Sequence, residues 1–220
     1  MDYQHRMLDG SKLRLPTGKV VCIGRNYIEH INELNNEKPE APVLFIKPTT
    51  SMVSHDHKIK LPKHLGICHY EVEITVLMTA TLSNVPAEAL SANDFYFGVG
   101  LDLTLRDIQK DLKEKGLPWE KAKAFDGACV LSRWVDGMTL SEAEKSNLSL
   151  RLNGAVKQKA CASEMMVRIG ELISYASQFF TLLPGDVLMT GTPSGVGRLD
   201  AGDQLLMSLN QYEFAMEVAL

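Results

Sequence analysis

Apolar residues along this chain fall mostly in short blocks that end at Gly, Pro or Asp. Blocks of this length, rich in Val, Ile and Leu, predict β-strands. We expect strands at residues 19–23, 43–46, 70–79, 97–101, 186–190, 204–210 and 213–218. The turn signals Pro184-Gly185-Asp186 and Ala201-Gly202-Asp203 separate the strands of the C-terminal third.

Three other segments predict helices. The first begins at Asn26, a good N-cap, and runs to about Asn35, with an apolar side formed by Tyr27, Ile28, Ile31 and Leu34. The second covers 104–115 and stops at Gly116, and the third covers 164–180. Strands outnumber helices, and few strand–helix–strand units follow one another. The pattern therefore predicts an α+β, mainly β fold with mixed, mostly antiparallel sheets and peripheral helices.

Length, composition and charge narrow the class of protein. At 220 residues, with 45% hydrophobic and 23% charged residues, the chain suits a single domain, residues 1–220, in which 1–16 form a short N-terminal extension. A net charge of −4 without a basic run argues against a nucleic-acid partner. There is no signal-peptide core and no apolar stretch of membrane length, and the four cysteines are widely scattered. We therefore expect a cytoplasmic protein with reduced thiols and no membrane partner.

Two acids interrupt the apolar strand at 70–79. Glu71, Glu73 and Thr75 share one face of this strand because side chains alternate, and same-face neighbours lie about 7 Å apart. Two carboxylates at that distance repel each other unless water screens them or a cation lies between them. Mg²⁺ suits such oxygen ligands. The alternative is a solvated strand face with two ordinary surface acids.

A third acid follows the strand at 97–101. Asp102, Arg106 and Gln109 are spaced by four and three residues, so on a helix they would share one stripe. Asp102 would complete a shell of three carboxylates with open positions for substrate and water. The alternative is a plain helix N-cap.

Other candidates are a histidine pair, two lysines and a glycine-rich loop. His30 and Glu33 are three residues apart, so they can touch on a helix. They are either a general base with its carboxylate partner or an exposed helix pair. Lys123 and Lys47 either stabilise an anion or are surface charges. The loop 190–197 lacks nucleotide-binding signatures. Its backbone N–H groups and the Thr192 hydroxyl would suit a carboxylate, unless the loop is only a tight turn.

These residues belong to a longer series of motifs. In chain order the series is Gly24-Arg25-Asn26-Tyr27-x-x-His30-x-x-Glu33, Phe45-x-Lys47-Pro48, Glu71-x-Glu73, Asp102-x-Thr104-x-Arg106-Asp107-x-Gln109, Lys121-x-Lys123-x-Phe125-Asp126, Thr190-Gly191-Thr192-Pro193 and Gly195-Val196-Gly197. The series resembles the fumarylacetoacetate hydrolase family, and the chain length resembles its single-domain acylpyruvase or fumarylpyruvate hydrolase-like branch. Relatives often have Cys-Pro where this chain has Cys129-Val130.

The resemblance implies a mixed β-sandwich roll, usually a homodimer, that binds Mg²⁺ or Mn²⁺ and a small 2-oxo or 2,4-dioxo acid. It also implies roles for individual residues. The metal ligands would be Glu71, Glu73 and Asp102. The general-base dyad would be His30 and Glu33, on a segment that closes as a lid. The substrate contacts would be Arg25, Lys47, Arg106, Gln109, Lys123 and Thr192.

Our leading hypothesis from sequence is metal-dependent hydrolysis of the C–C bond of a 2,4-dioxo acid of the acylpyruvate or fumarylpyruvate type. His30, polarised by Glu33, would activate water, and Lys123 would help to stabilise the leaving pyruvate enolate. Decarboxylation or keto–enol tautomerisation of oxaloacetate passes through the same enolate and remains an alternative. A catalytically silent homodimer that binds 2-oxo acids is an alternative of another class.

Overall fold

The computed structural model describes residues 3–34 and 37–220. Strands make up 36% of the structure and helices 22%, which confirms a mainly β fold. The strands are β1 (Val20–Gly24), β2 (Val43–Lys47), β3 (Met52–Ser54), β4 (Cys68–Tyr70), β5 (Val72–Met78), β6 (Phe95–Asp102), β7 (Thr104–Leu105), β8 (Cys129–Leu131), β9 (Asn147–Leu152), β10 (Ala155–Cys161), β11 (Val187–Met189), β12 (Gly197–Arg198), β13 (Gln204–Leu209) and β14 (Tyr212–Glu217). The helices are α1 (Ile28–Glu33), α2 (Arg106–Glu114), α3 (Glu120–Lys123), α4 (Leu140–Ala143) and α5 (Ile169–Phe179).

The strands form a curled seven-stranded sheet, a four-stranded sheet and a small three-stranded sheet. Their orders are β2-β1-β11-β5-β6-β8-β3, β10-β9-β13-β14 and β12-β4-β7. Two pairs, β1 with β11 and β3 with β8, are parallel, whereas every other pair among the described strands is antiparallel. The mostly antiparallel arrangement predicted from sequence is therefore confirmed.

The main core lies against one face of the seven-stranded sheet. Val72, Ile74 and Val76 of β5 are fully buried there, together with apolar side chains of β9, β13 and α5. Each such side chain contributes about 1.5–3 kcal/mol when it is removed from water. The predicted alternation along β5 is correct, because Glu73, Thr75 and Leu77 point to the opposite face.

The N-terminal segment helps to cover that opposite face. A smaller cluster there includes Leu77 and Trp134, and Tyr3 and Met7 pack against it. Fully buried His5 anchors the segment, since its Nδ1 lies 3.1 Å from Trp134 Nε1 and its Nε2 lies 3.1 Å from the carbonyl oxygen of Gly185. Burial lowers the pKa of His5 to about 4.

The chain departs from the predicted elements around the acids. The expected strand at 70–79 is interrupted at Glu71, which lies between β4 and β5. The second helix begins at Arg106 rather than 104, because residues 104–105 pair with β4 instead. Asp102 therefore ends a strand and shares no helical stripe with Arg106 and Gln109, which corrects that part of the prediction.

The first helix also differs from its prediction. Asn26 does not cap it; the N-cap is Tyr27, without a side-chain hydrogen bond. The Asn26 amide instead donates to the carbonyl oxygens of Val167 and Thr190, and its oxygen accepts from Val167 N–H. Ile28, expected on the apolar side, is 45% exposed. The predicted end at Asn35 falls outside the described residues.

Two further differences concern the C-terminal half. The helix predicted over 164–180 is shorter, since α5 covers Ile169–Phe179. The β9–β10 hairpin was not predicted. None of the helices within residues 3–34 and 37–220 has the length and hydropathy needed to cross a membrane.

Candidate metal centre and active site

Three buried carboxylates meet at the end of the two central strands. Glu71, Glu73 and Asp102 each offer one oxygen within 4.8 Å of the others, and none is more than 4% exposed. Strand pairing brings them together, because Glu73 is paired with Gly100 in β6 and the Asp102 N–H donates to the Glu71 carbonyl at 2.8 Å. The alternative interpretations, a solvated strand face and a helix N-cap, do not describe these acids.

Two of the cations that compensate the charge of this cluster, Lys123 and Arg106, line the same cavity. Lys123 Nζ lies 2.7 Å from Glu71 Oε2 and 2.6 Å from Asp102 Oδ2, and Arg106 Nη2 lies 2.5 Å from Glu71 Oε1. Burial alone would raise the pKa of Glu71, but these two cations hold it well below its usual range. Burial would likewise lower the pKa of Lys123, but Asp102 and Glu71 raise it. The third N–H of Lys123 donates to Thr104 Oγ1 at 2.7 Å.

The third carboxylate, Glu73, has no ion-pair partner among the described residues. It accepts one hydrogen bond, from Gly191 N–H at 2.7 Å. Burial and then the charges of Asp102 and Glu71 raise its pKa well above the usual value. A cation beside Glu73 would offset the repulsion from Asp102 and Glu71 and favour the charged carboxylate.

The donor set fits a hard divalent cation. All three side chains offer oxygen, which Mg²⁺ and Mn²⁺ prefer as a ligand. Asp102 Oδ1 accepts no hydrogen bond from any described residue, although Lys47 Nζ lies 2.7 Å away. This oxygen therefore has lone pairs available to a metal.

Lys47 lies behind Asp102, away from the cavity into which the carboxylates face. Its side chain is fully buried, and its ammonium donates to the carbonyl oxygens of Lys123, Leu103 and Ala128. Lys47 is not among the residues that line the cavity. The structure thus places Lys47 against Asp102 rather than at the cavity wall, and its contact with substrate stays a prediction.

The other predicted substrate contacts do line the cavity. They are Arg25, Arg106, Gln109, Lys123 and Thr192. The Arg106 guanidinium also donates to Gln109 Oε1 at 2.7 Å. Apolar walls come from Ile23, Leu34, Phe45 and Trp119, whose role was not predicted. Phe45 and Trp119 touch at 5.8 Å between ring centroids, although 74 residues separate them, so no local pattern could pair them.

His30 and Glu33, the predicted general-base dyad, lie in contact at the cavity wall. His30 lines the cavity, is 7% exposed, and places its Nδ1 3.0 Å from Glu33 Oε2. Glu33 lies behind the ring, and its Oε1 accepts from Gly195 N–H at 2.9 Å. A neutral His30 that donates Nδ1–H to Glu33 leaves Nε2 as the acceptor nitrogen.

The glycine-rich loop supports the site through its backbone. Its N–H groups at Gly191 and Gly195 hold two of the protein's own carboxylates, those of Glu73 and Glu33. Gly191 has a φ of +100°, and a Cβ there would lie 2.8 Å from Asn26 Cβ, so only glycine fits. The Thr192 hydroxyl donates to the Val72 carbonyl at 2.8 Å.

Sequence reasoning missed two polar residues near the site. Lys113 lines the cavity and extends the spacing of Arg106 and Gln109 by four residues along α2, so a signal for it was present. Gln158 hydrogen-bonds to the Thr192 loop from β10. No local sequence pattern indicated Gln158, because its contact joins residues that are 34 positions apart in the chain.

The sequence and the fold both match known proteins. Residues 19–216 match the family described as fumarylacetoacetate (FAA) hydrolase C-terminal. The chain is 43% identical over 217 residues to oxaloacetate tautomerase YcgM of Escherichia coli (strain K12), covering 98% of this chain and 99% of the relative.

Two solved structures share the fold at high sequence identity. A fumarylacetoacetate hydrolase family protein from Yersinia pestis CO92 matches with a TM-score of 0.95 and 42% identity, over 98% of this chain and 100% of the other. The fumarylpyruvate hydrolase of Pseudomonas aeruginosa, in complex with Mn²⁺ and pyruvate, matches with a TM-score of 0.91 and 30% identity, over 100% and 96%. The chain therefore belongs to the fumarylacetoacetate hydrolase family.

Proposed function

We propose that this protein is a metal-dependent tautomerase that interconverts the enol and keto forms of oxaloacetate. The observation that carries the proposal is the cluster of three buried carboxylates in the same cavity as His30. The similarity to an oxaloacetate tautomerase over nearly the whole chain favours this reaction over the hydrolysis that the sequence first suggested.

Glu71, Glu73 and Asp102 are the residues that would hold Mg²⁺ or Mn²⁺. The Mn²⁺ in the fumarylpyruvate hydrolase from Pseudomonas aeruginosa supports a divalent ion of this kind. When bound, the ion would supply Lewis acidity towards the oxygen atoms of a 2-oxo acid.

Tautomerisation moves one proton. In the keto-to-enol direction C3 loses a proton to neutral His30 and the C2 oxygen gains one from water, to which His30 returns its proton; the enol-to-keto direction runs the same transfers in reverse. His30 is positioned to exchange the C3 proton through Nε2, because Glu33 holds the opposite ring nitrogen. Arg106 and Lys123 stabilise the negative charge that develops on the substrate oxygens. The apolar side chains of Phe45 and Trp119 exclude water from the wall of the cavity.

Hydrolysis of an acylpyruvate is the second candidate. The His30–Glu33 pair that exchanges a proton with carbon would equally take one from water, and the fold similarity to a fumarylpyruvate hydrolase favours this reading. Oxaloacetate decarboxylation would use the same enolate. A silent 2-oxo acid binder has no need of an oriented histidine, so the pair argues against it.

The products distinguish these reactions. Enol-oxaloacetate is added to the purified protein with Mg²⁺, and the loss of enol absorbance, the pyruvate and the carbon dioxide are measured separately. We expect fast loss of the enol without pyruvate. Pyruvate with carbon dioxide would replace the tautomerase by a decarboxylase. Pyruvate from acetylpyruvate, with no acceleration of the enol loss, would replace it by a hydrolase.

A histidine variant tests the assignment of the base. His30→Gln should lower kcat about 10²–10⁴-fold, the usual contribution of a general acid or base. His57→Gln, a change at an exposed histidine of the same chain, serves as the matched control. Full activity of the His30→Gln protein would remove His30 from the reaction.

The remaining predictions about the whole protein concern its assembly and location. A single catalytic domain, a homodimer and a cytoplasmic location remain predictions. Sedimentation velocity of the full chain tests the homodimer, and a species of about the monomer mass of 24.4 kDa at micromolar concentration would contradict it.

A further inference from the structure

We propose that Asn26 is a positioning residue that connects the helix carrying His30 to the carboxylate of Glu73. The connection runs through one peptide group, the one that joins Thr190 to Gly191. This inference rests on the proposed function, because it takes His30 as the base and Glu73 as a metal ligand. Asn26 is not among the residues that line the cavity, so it acts through these two side chains rather than on the substrate.

The helix α1 is too short to hold its own position. It has six residues, and the side chain of its N-cap, Tyr27, makes no capping hydrogen bond. An isolated helix of fewer than about 12 residues is marginal in water, so the position of α1 depends on what holds its two ends. At its C-terminal end the Glu33 carboxylate accepts from Gly195 N–H at 2.9 Å. Asn26, two residues before the helix begins, is the corresponding anchor at the start.

Asn26 is held through both its side chain and its backbone. It is 3% exposed, and its carbonyl oxygen accepts from Met166 N–H at 2.8 Å. Its Nδ2 donates to the carbonyl oxygens of Val167 at 3.1 Å and Thr190 at 3.0 Å, and its Oδ1 accepts from Val167 N–H at 2.9 Å. A primary amide offers these two donors and this acceptor together, whereas a carboxylate or a hydroxyl group does not.

The peptide group between Thr190 and Gly191 lies between Asn26 and the acid cluster. Its C=O accepts from Asn26 Nδ2, and its N–H donates to Glu73 Oε2 at 2.7 Å. The peptide is trans, so these two groups point in opposite directions and face one side chain each. The N–H and the hydroxyl of Thr190 both donate to the Ile74 carbonyl, at 3.2 and 2.9 Å, which keeps the peptide group beside β5.

The two hydrogen bonds of this peptide group reinforce each other. Donation by Asn26 to the carbonyl oxygen polarises the group and so strengthens the donation by Gly191 N–H to Glu73. A cation bound by Glu73 would fix the carboxylate, the peptide group and Asn26 in turn, and with them the start of α1. Metal binding and the position of His30 are therefore coupled, and such a coupling acts equally in both directions.

The test asks whether Mg²⁺ slows hydrogen exchange in a helix that contains none of the three acids. Amide exchange of residues 28–33 is measured on the full chain with and without Mg²⁺, and the dissociation constant of Mg²⁺ is measured by calorimetry without substrate. Asn26→Ser removes the amide, and Asn93→Ser makes the same change at an exposed asparagine. Leu209→Ala weakens the core at a fully buried position that does not line the cavity.

We expect Mg²⁺ to slow exchange in residues 28–33 of the wild type, and we expect Asn26→Ser to lose this slowing. Asn26→Ser should also weaken Mg²⁺ binding about tenfold, the lower end of the contribution of a hydrogen bond to a charged group. At saturating Mg²⁺ its kcat for loss of the enol should fall about 10²-fold, which a displacement of about 1 Å can cause, with little change in KM. Asn93→Ser should change none of these quantities, and Leu209→Ala should lower stability but keep the slowing.

Three results would overturn the connection. They are no slowing in the wild type, slowing that persists in Asn26→Ser, and loss of the slowing in Leu209→Ala, since any loosening of the fold would then produce the effect. The comparison of the wild type with and without Mg²⁺ needs no variant, so it decides the proposal if Asn26→Ser fails to fold.

Failure of this inference can be distinguished from failure of the proposed function, because exchange and calorimetry need no turnover. Slowing that Asn26→Ser loses, without any acceleration of the enol loss by the wild type, would support the connection and refute the tautomerase. Acceleration of the enol loss by the wild type, together with slowing that Asn26→Ser keeps, would do the reverse.

Discussion

Gln158 connects three distant parts of the chain at the edge of the site, and its replacement should loosen them together. Its side chain is 1% exposed and lies in β10 beside the irregularity in pairing between Val156 and Gln158. Its Oε1 accepts from Val72 N–H at 2.9 Å, and its Nε2 donates to Thr192 Oγ1 and to the Pro193 carbonyl, both at 2.8 Å. Val72 lies between Glu71 and Glu73, so the amide joins the acidic strand to the glycine-rich loop.

Gln158→Leu keeps the volume and removes all three hydrogen bonds. The buried Val72 N–H and the Pro193 carbonyl lose the partner that Gln158 gave them, while Thr192 keeps its bond to the Val72 carbonyl. At about 1–3 kcal/mol for each unsatisfied group, the free energy of unfolding should fall by about 2–6 kcal/mol.

Urea unfolding at constant m-value measures the loss, and the shift in unfolding midpoint with added Mg²⁺ measures the effect on the metal site. Lys159→Leu, at the adjacent exposed position of β10, is the matched control and should stay within about 0.5 kcal/mol of wild type. If Gln158→Leu lowers the free energy of unfolding by less than about 1 kcal/mol, the three contacts do not hold the strand and the loop together.

Three further predictions concern buried residues that can carry a charge, Lys47, His5 and Glu73. Lys47→Met should lower the free energy of unfolding by about 3–5 kcal/mol, because it removes one of the two ammonium groups beside buried Asp102 and the donor to the carbonyl oxygens of Lys123 and Ala128; a loss under about 1 kcal/mol in urea would contradict this. His5 should make stability depend on pH: its pKa falls from 6.5 to about 4 on folding, so the unfolded chain takes up the proton first. The contribution of neutral His5 to the free energy of unfolding is complete above about pH 6.5. About 3 kcal/mol of that free energy is lost as the pH falls to 4. His5→Gln should remove that part of the pH dependence, and identical urea-unfolding profiles for both proteins between pH 4 and 7 would show that His5 is not responsible. Glu73→Gln should abolish most of the rise in melting temperature on adding Mg²⁺, and an unchanged rise would exclude Glu73 as a ligand.

Local sequence patterns predicted the central part of the fold well. The apolar blocks that became β1, β2, β5 and β6 are in strands, because alternation and buried runs follow from the backbone geometry alone. The β9–β10 hairpin was missed, although Asn153-Gly154 is a strong turn signal between Leu152 and Ala155. Arg151, Lys157 and Lys159 interrupt the apolar positions of its two strands, so the strand pattern there is weak.

The predicted site residues came together where strand pairing could be anticipated. Glu71, Glu73 and Asp102 meet because two paired strands end at the same edge. The contacts of Lys47 and Gln158 could not be predicted from local sequence patterns, because each joins the side chain to a backbone group far away in the chain. The capping role of Asn26 failed for the same reason: Thr190 and Val167, more than 140 residues away, compete for its amide.

The three acids and the polar walls differ in what supports them. Glu73 and Asp102 belong to two neighbouring strands of the largest sheet and Glu71 directly precedes one of them. Arg25, His30, Lys113 and Trp119 instead come from the helices and connections around that sheet. Substitutions in the surrounding segments can therefore change the shape and charge of the cavity wall while Glu71, Glu73 and Asp102 keep their positions. Such a division makes this scaffold suited to directed evolution, in which libraries confined to the rim would reshape the cavity wall without disturbing the three carboxylates.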